Sequence, residues 1–150
     1  MRTFKFRIWD EYLKQMSYGS KTVDLTVAFT NGKLSEVSCC DNESCCEWSA
    51  MPLDLDRGNR FFAEQFTGLL DANGKEIYEG DICSYNASKL SFYRSQKDCL
   101  ISFKDEPSFY GYFISSAKGC FSWTLTREFA KDNIEVIGNV HENPDLLADA

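Results

Sequence analysis

Positive charge is the scarcer sign in this 150-residue sequence: 16 Lys and Arg stand against 23 Asp and Glu, for a formal charge of -7. Proteins that track phosphate backbones draw their affinity from clustered cations, so this balance argues against nucleic-acid binding as the main activity. Histidine is reduced to one residue, His141, too few for a typical zinc-enzyme site. The sequence holds no Gly-x-x-x-x-Gly-Lys loop, no Gly-x-Gly-x-x-Gly turn and no Gly-x-Ser-x-Gly elbow. There is therefore no sequence case for nucleotide hydrolysis, dinucleotide binding or a serine nucleophile. No stretch approaches the roughly 20 apolar residues of a membrane helix. The opening MRTFKFRIWDEYLKQM interrupts its apolar residues with charge too often for a signal peptide. The expectation is a cytosolic, non-enzymatic protein that uses no cofactor and no membrane. In that compartment the seven cysteines, an odd number, stay reduced. The sequons at Asn42 and Asn86 then carry no glycan.

What is present is aromatic. With 12 Phe, 7 Tyr and 3 Trp in a chain that is 43% hydrophobic and 26% charged, the composition is that of an ordered globular protein with a ring-rich core. The period is that of strands. From Thr3 to Ile8, Phe4, Phe6 and Ile8 alternate with Lys5 and Arg7, which predicts a half-buried strand with its charges outward. Val23, Leu25, Val27 and Phe29 repeat the pattern up to Asn31-Gly32, a hairpin-turn dipeptide, and Leu34 to Val37 is the returning strand.

Periodicity is lost between Ser38 and Arg60, through CCDNESCCEW and MPLDLDRGNR, and a subdomain boundary is placed there: residues 1–60 as an N-terminal β subdomain with a Cys-rich loop, residues 61–150 as a second one. Phe61, Phe62 and Phe66 resume apolar spacing. Turn residues follow at Asp71–Gly74 and Glu79–Asp81. Short β-like segments then recur at 82–85, 99–104, 109–114, 121–125 and 134–140, with at most one helical turn around Arg127 to Lys131. The fold class expected is mainly all-β, ending in a small closed or half-closed barrel.

Three segments together resemble the YopX-like family of small phage and prophage proteins: FKFRIWDEYLKQM at the start, FTGLLDANGKEIYEGDI at Phe66 to Ile82, and IEVIGNVHENPDLL at Ile134 to Leu147. The resemblance implies two packed β parts, the C-terminal one an SH3-like barrel, and expression of a phage gene inside a bacterium. It supplies no catalytic residues to carry over. CCDNESCC lies outside the matching blocks. In the central block Gly74, Gly80 and Asp81 sit where turn chemistry wants them, Asp81 accepting backbone hydrogen bonds while Ile82 points inward. The block is thus expected to be structural.

Several side-chain groups are candidates for chemistry. Cys39, Cys40, Cys45 and Cys46 crowd sulfur into one short run, but zinc sites pair cysteines two to four residues apart, and adjacent residues of an extended chain point apart. Unligated thiols are the favoured reading. A disulfide between the pairs would be a product of oxidation on purification. Asp54 and Asp56 are two carboxylates of one loop, better read as solvated than as a cation site. His141, beside Glu142 and near Pro144, has no accompanying nucleophile signature.

The segment from Phe109 to Phe113 alternates Phe109, Gly111 and Phe113 with Tyr110 and Tyr112, which predicts the tyrosines outward. Trp48 and Trp123 join Tyr110 and Tyr112 as candidate interaction residues, with Tyr85 and Phe92 adding rings that a barrel core would use. Lys89, Arg94 and Lys97 are too few to make a basic stripe. The leading expectation is a phage accessory protein that binds a host bacterial protein through an acidic, aromatic surface and inhibits a defence or regulatory system. The alternatives are a binder of a nucleotide signal, with rings stacking the base, and a nucleic-acid-binding regulator of phage genes. Short edge strands and abundant rings are compatible with a homo-oligomer.

Overall fold

A computed structural model describes residues 5–18, 23–30, 33–41, 61–86, 96–117, 119 and 121–148. The chain is mainly β and divides into two compact units, one of Lys5–Glu64 and one of Gln65–Ala150 with the first four residues. The division falls inside a strand, four residues past the boundary expected at Arg60.

In the first unit, β1 (Phe6–Asp10) and β2 (Gln15–Tyr18) form an antiparallel hairpin running from Arg7↔Tyr18 to Asp10↔Gln15. Its turn is built by Asp10, whose Oδ1 accepts the backbone N–H groups of Tyr12 (2.9 Å) and Leu13 (3.0 Å), and by Lys14 in the left-handed region at φ 54°. The expected outward charge on β1 is corrected here. Arg7 is buried, and its Nε donates to Glu64 Oε2 at 2.6 Å. Alternation alone could not show this, because the countercharge comes from 57 residues away. The second hairpin joins β3 (Val23–Thr30) to β4 (Lys33–Asp41), in register from Val23↔Asp41 to Thr30↔Lys33. The returning strand runs four residues past the expected end at Val37, so Cys39 and Cys40 are strand residues facing Leu25 and Asp24 in register. Their partners in the proposed thiol group, Cys45 and Cys46, lie outside the described residues, as do Trp48, Asp54 and Asp56.

β5 (Phe61–Leu70) runs from one unit into the other. In the second unit it pairs with β6 (Glu76–Tyr78) through Phe66↔Tyr78 and Leu70↔Glu76, with a register shift between them. Next come β7 (Asp81–Tyr85), β8 (Gln96–Glu106), β9 (Phe109–Ser116) and β10 (Ser122–Thr124), then α1 (Arg127–Asn133), β11 (Ile134–Asn139) and a short α2 (Asp145–Ala148). The sheet order is β10-β9-β8-β7-β11, antiparallel throughout. Of the SH3-like barrel that the resemblance implies, the structure carries an antiparallel sheet curled into a half-barrel. Helix α1 is longer than the single turn expected. Thr126 caps it by accepting Phe129 N–H at 3.2 Å, and Ala130 is buried in the core beside Ile77, Ile101, Ile114 and Ile134.

The two turns of the central block are fastened to β11. Asp71 is 2% exposed; its Oδ1 accepts Asn73 N–H (2.9 Å) and Lys75 N–H (2.8 Å), and its Oδ2 accepts Val136 N–H (3.0 Å). Ala72 N–H donates to Ile134 O at 2.9 Å. At the second turn, Gly80, at φ 75°, donates to Ile101 O and accepts from Val140 N–H, while Asp81 Oδ2 takes Tyr78 N–H at 2.8 Å and Ile82 is fully buried.

Removing the Asp71 carboxylate strands the buried Val136 N–H and two part-buried N–H groups of its own turn, and the loss at a buried group costs about 1–3 kcal/mol. Asp71→Ala is therefore expected to lower unfolding free energy by about 3 kcal/mol or more in a urea titration, and Asp71→Asn by less, since it keeps one carbonyl oxygen. Glu64→Gln should cost about 3–5 kcal/mol by leaving Arg7 buried without its carboxylate, and Arg7→Met with Glu64→Leu should restore most of that loss. A single variant as stable as the wild type would show that the pair is not a buried charge pair in solution.

Candidate functional site

In an antiparallel pair, residues in register share a face. Ile101↔Ile114, Phe103↔Tyr112 and Asp105↔Tyr110 therefore form one row on the core-facing side of β8 and β9, and Trp123, opposite Ile114, extends it onto β10. The row passes from core to solvent. Ile101 and Ile114 are buried, Tyr112 and Trp123 are half-buried against the core, Phe103 is 36% exposed and Tyr110 is 77% exposed. The prediction that Tyr110 and Tyr112 share a face holds. The prediction that both point outward is corrected: their face is the one that carries the core, and only Tyr110 lies beyond the core's end. On the opposite face Phe113 is also buried, with Lys104 Nζ 5.1 Å from its ring centre and 3.1 Å from Ser122 Oγ.

Two ring groups result. At the inner end, Phe121 stacks on Trp123 (4.3 Å between centres, 22°) and Tyr85 on Phe129 (5.5 Å, 26°), with Trp123 meeting Tyr85 edge-on at 5.4 Å. Those faces are occupied by one another. At the outer end, Phe103 meets Tyr110 at 4.9 Å and 89° and Tyr112 at 5.2 Å and 72°. Such edge-to-face contacts are worth about 0.5–1.5 kcal/mol each beyond burial, which biases the exposed ring toward this position. Asp105, exposed and in register with Tyr110, gives this end a negative charge. Phe103 was missed from sequence because it is a lone ring in the polar run QKDCLISFKDE; its alternation with Ile101 was the available signal.

A second exposed apolar group belongs to the first unit, at the β1–β2 turn, where Tyr12 is 81% and Leu13 50% exposed. Of the remaining sequence candidates, Lys89, Phe92 and Arg94 lie outside the described residues. His141 is half-buried in a turn, its N–H donating to Asn139 Oδ1 at 3.0 Å. Among the described residues no group of three or more His, Cys, Asp or Glu is placed to hold a metal ion. The acidic central block is turned to its own backbone: Glu79 Oε2 accepts Gln65 N–H at 3.1 Å, and burial raises its carboxyl despite that bond.

Cys83 and Cys99 face each other in register on β7 and β8, both fully buried. Burial, with the nearby Asp81, Cys99 and Asp71, pushes the Cys83 thiol up from its ordinary 9.0; burial and Asp98 push Cys99 up to about 12. The thiolate is the reactive form, so these are packing groups rather than nucleophiles. A thiol-specific maleimide at neutral pH should leave both unlabelled in the native protein and modify them on unfolding. Unfolded thiols ionise near 9 while the folded ones stay protonated, so the unfolded state binds fewer protons above that pH. Stability should accordingly be insensitive to these groups below about pH 9 and fall above it, a fall that Cys83→Ala with Cys99→Ala reduces.

A family profile described as YopX protein matches residues 5–148. Among solved structures, the chain is similar to protein EF1440 from Enterococcus faecalis, with 26% identity, TM-score 0.59, and coverage of 98% of this chain and 99% of that one. It is also similar in fold to protein yopX from Bacillus subtilis, at 21% identity and TM-score 0.59, over 97% and 98% of the two chains. No curated protein matches it.

Proposed function

The chain belongs to the YopX protein family, and from that premise we propose that it is a phage-encoded, non-enzymatic accessory protein that works in the bacterial cytosol by binding a host protein and inhibiting a defence or regulatory system. The observation that carries this reading is Tyr110: 77% exposed, braced edge-on by Phe103, and in register with the exposed Asp105. Rigid, exposed tyrosines are what protein interfaces use as anchors, because the ring contributes area with little rotamer entropy to lose. The net charge of -7 favours a basic surface on the partner and speeds encounter with it.

Nucleotide capture has less support. The stacked pairs Phe121–Trp123 and Tyr85–Phe129 already fill the ring faces that a base would take. Tagged wild-type protein in lysate from a matching bacterial host should recover a specific partner, with recovery weakened by salt. Tyr110→Ala and Asp105→Lys should each lower that recovery by about tenfold or more, the size of a hot-spot loss. Equal recovery by wild type and both variants, or no partner across a range of hosts, counts against the proposal.

A further inference from the structure

Every strand at the margin of an open sheet exposes backbone donors and acceptors, and proteins normally cover them. The sheet of the second unit covers one margin. Outside β11, the turn at Asp71 supplies a carboxylate for Val136 N–H (3.0 Å) and a backbone N–H for Ile134 O (2.9 Å), and Lys75 Nζ reaches Val136 O at 3.5 Å.

The other margin is treated differently. Ala117 N–H donates inward to Asp98 O, whereas Ser116 N–H donates to Phe121 O and Tyr112 O accepts Leu125 N–H, both on the β10 side. The β8–β9 register is unbroken. Even-numbered residues of β9 therefore direct their backbone groups away from β8, and Tyr110 continues the series. Among the described residues β10 pairs with β9 at Phe113, Ile114 and Ser115, with the bonds at Ser116 and Tyr112 completing its cover at either end. Thr126 then caps α1 and the chain turns away, so among the described residues no strand lies beside Tyr110. Tyr110 thus presents an N–H and a C=O at an open edge, next to its own exposed ring.

We propose that this edge is a docking site for an extended, basic segment of the partner protein, which adds as a strand outside β9 at Tyr110. The inference rests on the reading of Tyr110 as a protein-binding residue and specifies how it binds. Backbone pairing supplies affinity in such complexes and alternate side chains supply specificity. Strands lie about 4.8 Å apart, so an Arg or Lys opposite Tyr110 crosses its ring toward Asp105, combining a cation–ring contact with an opposite charge. The same acidity disfavours a second copy of this chain, which would bring two Asp105 side chains and two charges of -7 together.

The probe is a random-peptide display library panned against the intact protein, with selected peptides synthesised for titration. The expected result is a set of basic peptides that slow hydrogen exchange at the Tyr110 amide of the wild type. Tyr110→Ala should weaken binding by about tenfold, and Tyr110→Pro, which also removes the N–H, by about a further tenfold. Both variants are first checked for a wild-type thermal midpoint; the exchange measurement needs no variant. No selected peptide, a bound peptide that leaves Tyr110 exchange unchanged, or a dimer abolished by Tyr110→Pro would each overturn the proposal. If the lysate partner is lost with Tyr110→Ala but no further with Tyr110→Pro, the host-binding reading stands and the edge pairing falls. Peptide pairing at Tyr110 with no host partner has the reverse meaning.

Discussion

One carboxylate organises the second unit. Asp71 closes its own turn by accepting Asn73 and Lys75 N–H groups through one oxygen, and with the other it holds Val136 on a strand 65 residues later. β11 is thus held from both sides, by its antiparallel pairing with β7 and by the Asp71 turn outside it. Val136↔Cys83 and Ile134↔Tyr85 then place two apolar residues of β11 in the core, where α1 contributes Ala130. Gly138 has a related reason: a Cβ there would come 2.5 Å from Asn143 Oδ1, in the turn whose Val140 N–H reaches Gly80 O.

Much of this was legible beforehand, and the misses share a cause. Strand spacing placed β7, β8, β9, β10 and β11 to within a few residues because turns or polar loops separate these short apolar segments. Asp81 and the glycine turns were legible because their chemistry is local. Distant partners were not. Arg7 looks like a surface residue until Glu64 is beside it, and Tyr112 looks like an outward ring until Ile101 and Ile114 show which face of β9 carries the core. β4 outran its prediction because Ser38, Cys39 and Cys40 carry no strand preference of their own and are paired by Leu25, Thr26 and Asp24.

The turn residues of the central and C-terminal blocks are therefore poor candidates for binding anything else. Asp71, Asn139 and Gly80 are committed to backbone groups of the same unit, and a polar atom already satisfied gains little from a ligand. The two blocks meet each other through the Asp71–Val136 and Gly80–Val140 bonds and the pairing of β7 with β11.

The surface proposed for recognition is found where the fold's own needs end. The hydrophobic row on β8 and β9 continues past the last core residue, so Phe103 and Tyr110 are ordered by ring contacts but not covered. The covering strand stops at the same place, because Thr126 must leave the sheet to cap the helix that brings Ala130 into the core. An exposed ring and, among the described residues, an uncovered backbone edge thus coincide at Tyr110 as a consequence of how α1 is started. Extending β10 to cover the edge would delay that helix and withdraw Ala130 from the core, so the open edge follows from the same geometry that completes the half-barrel.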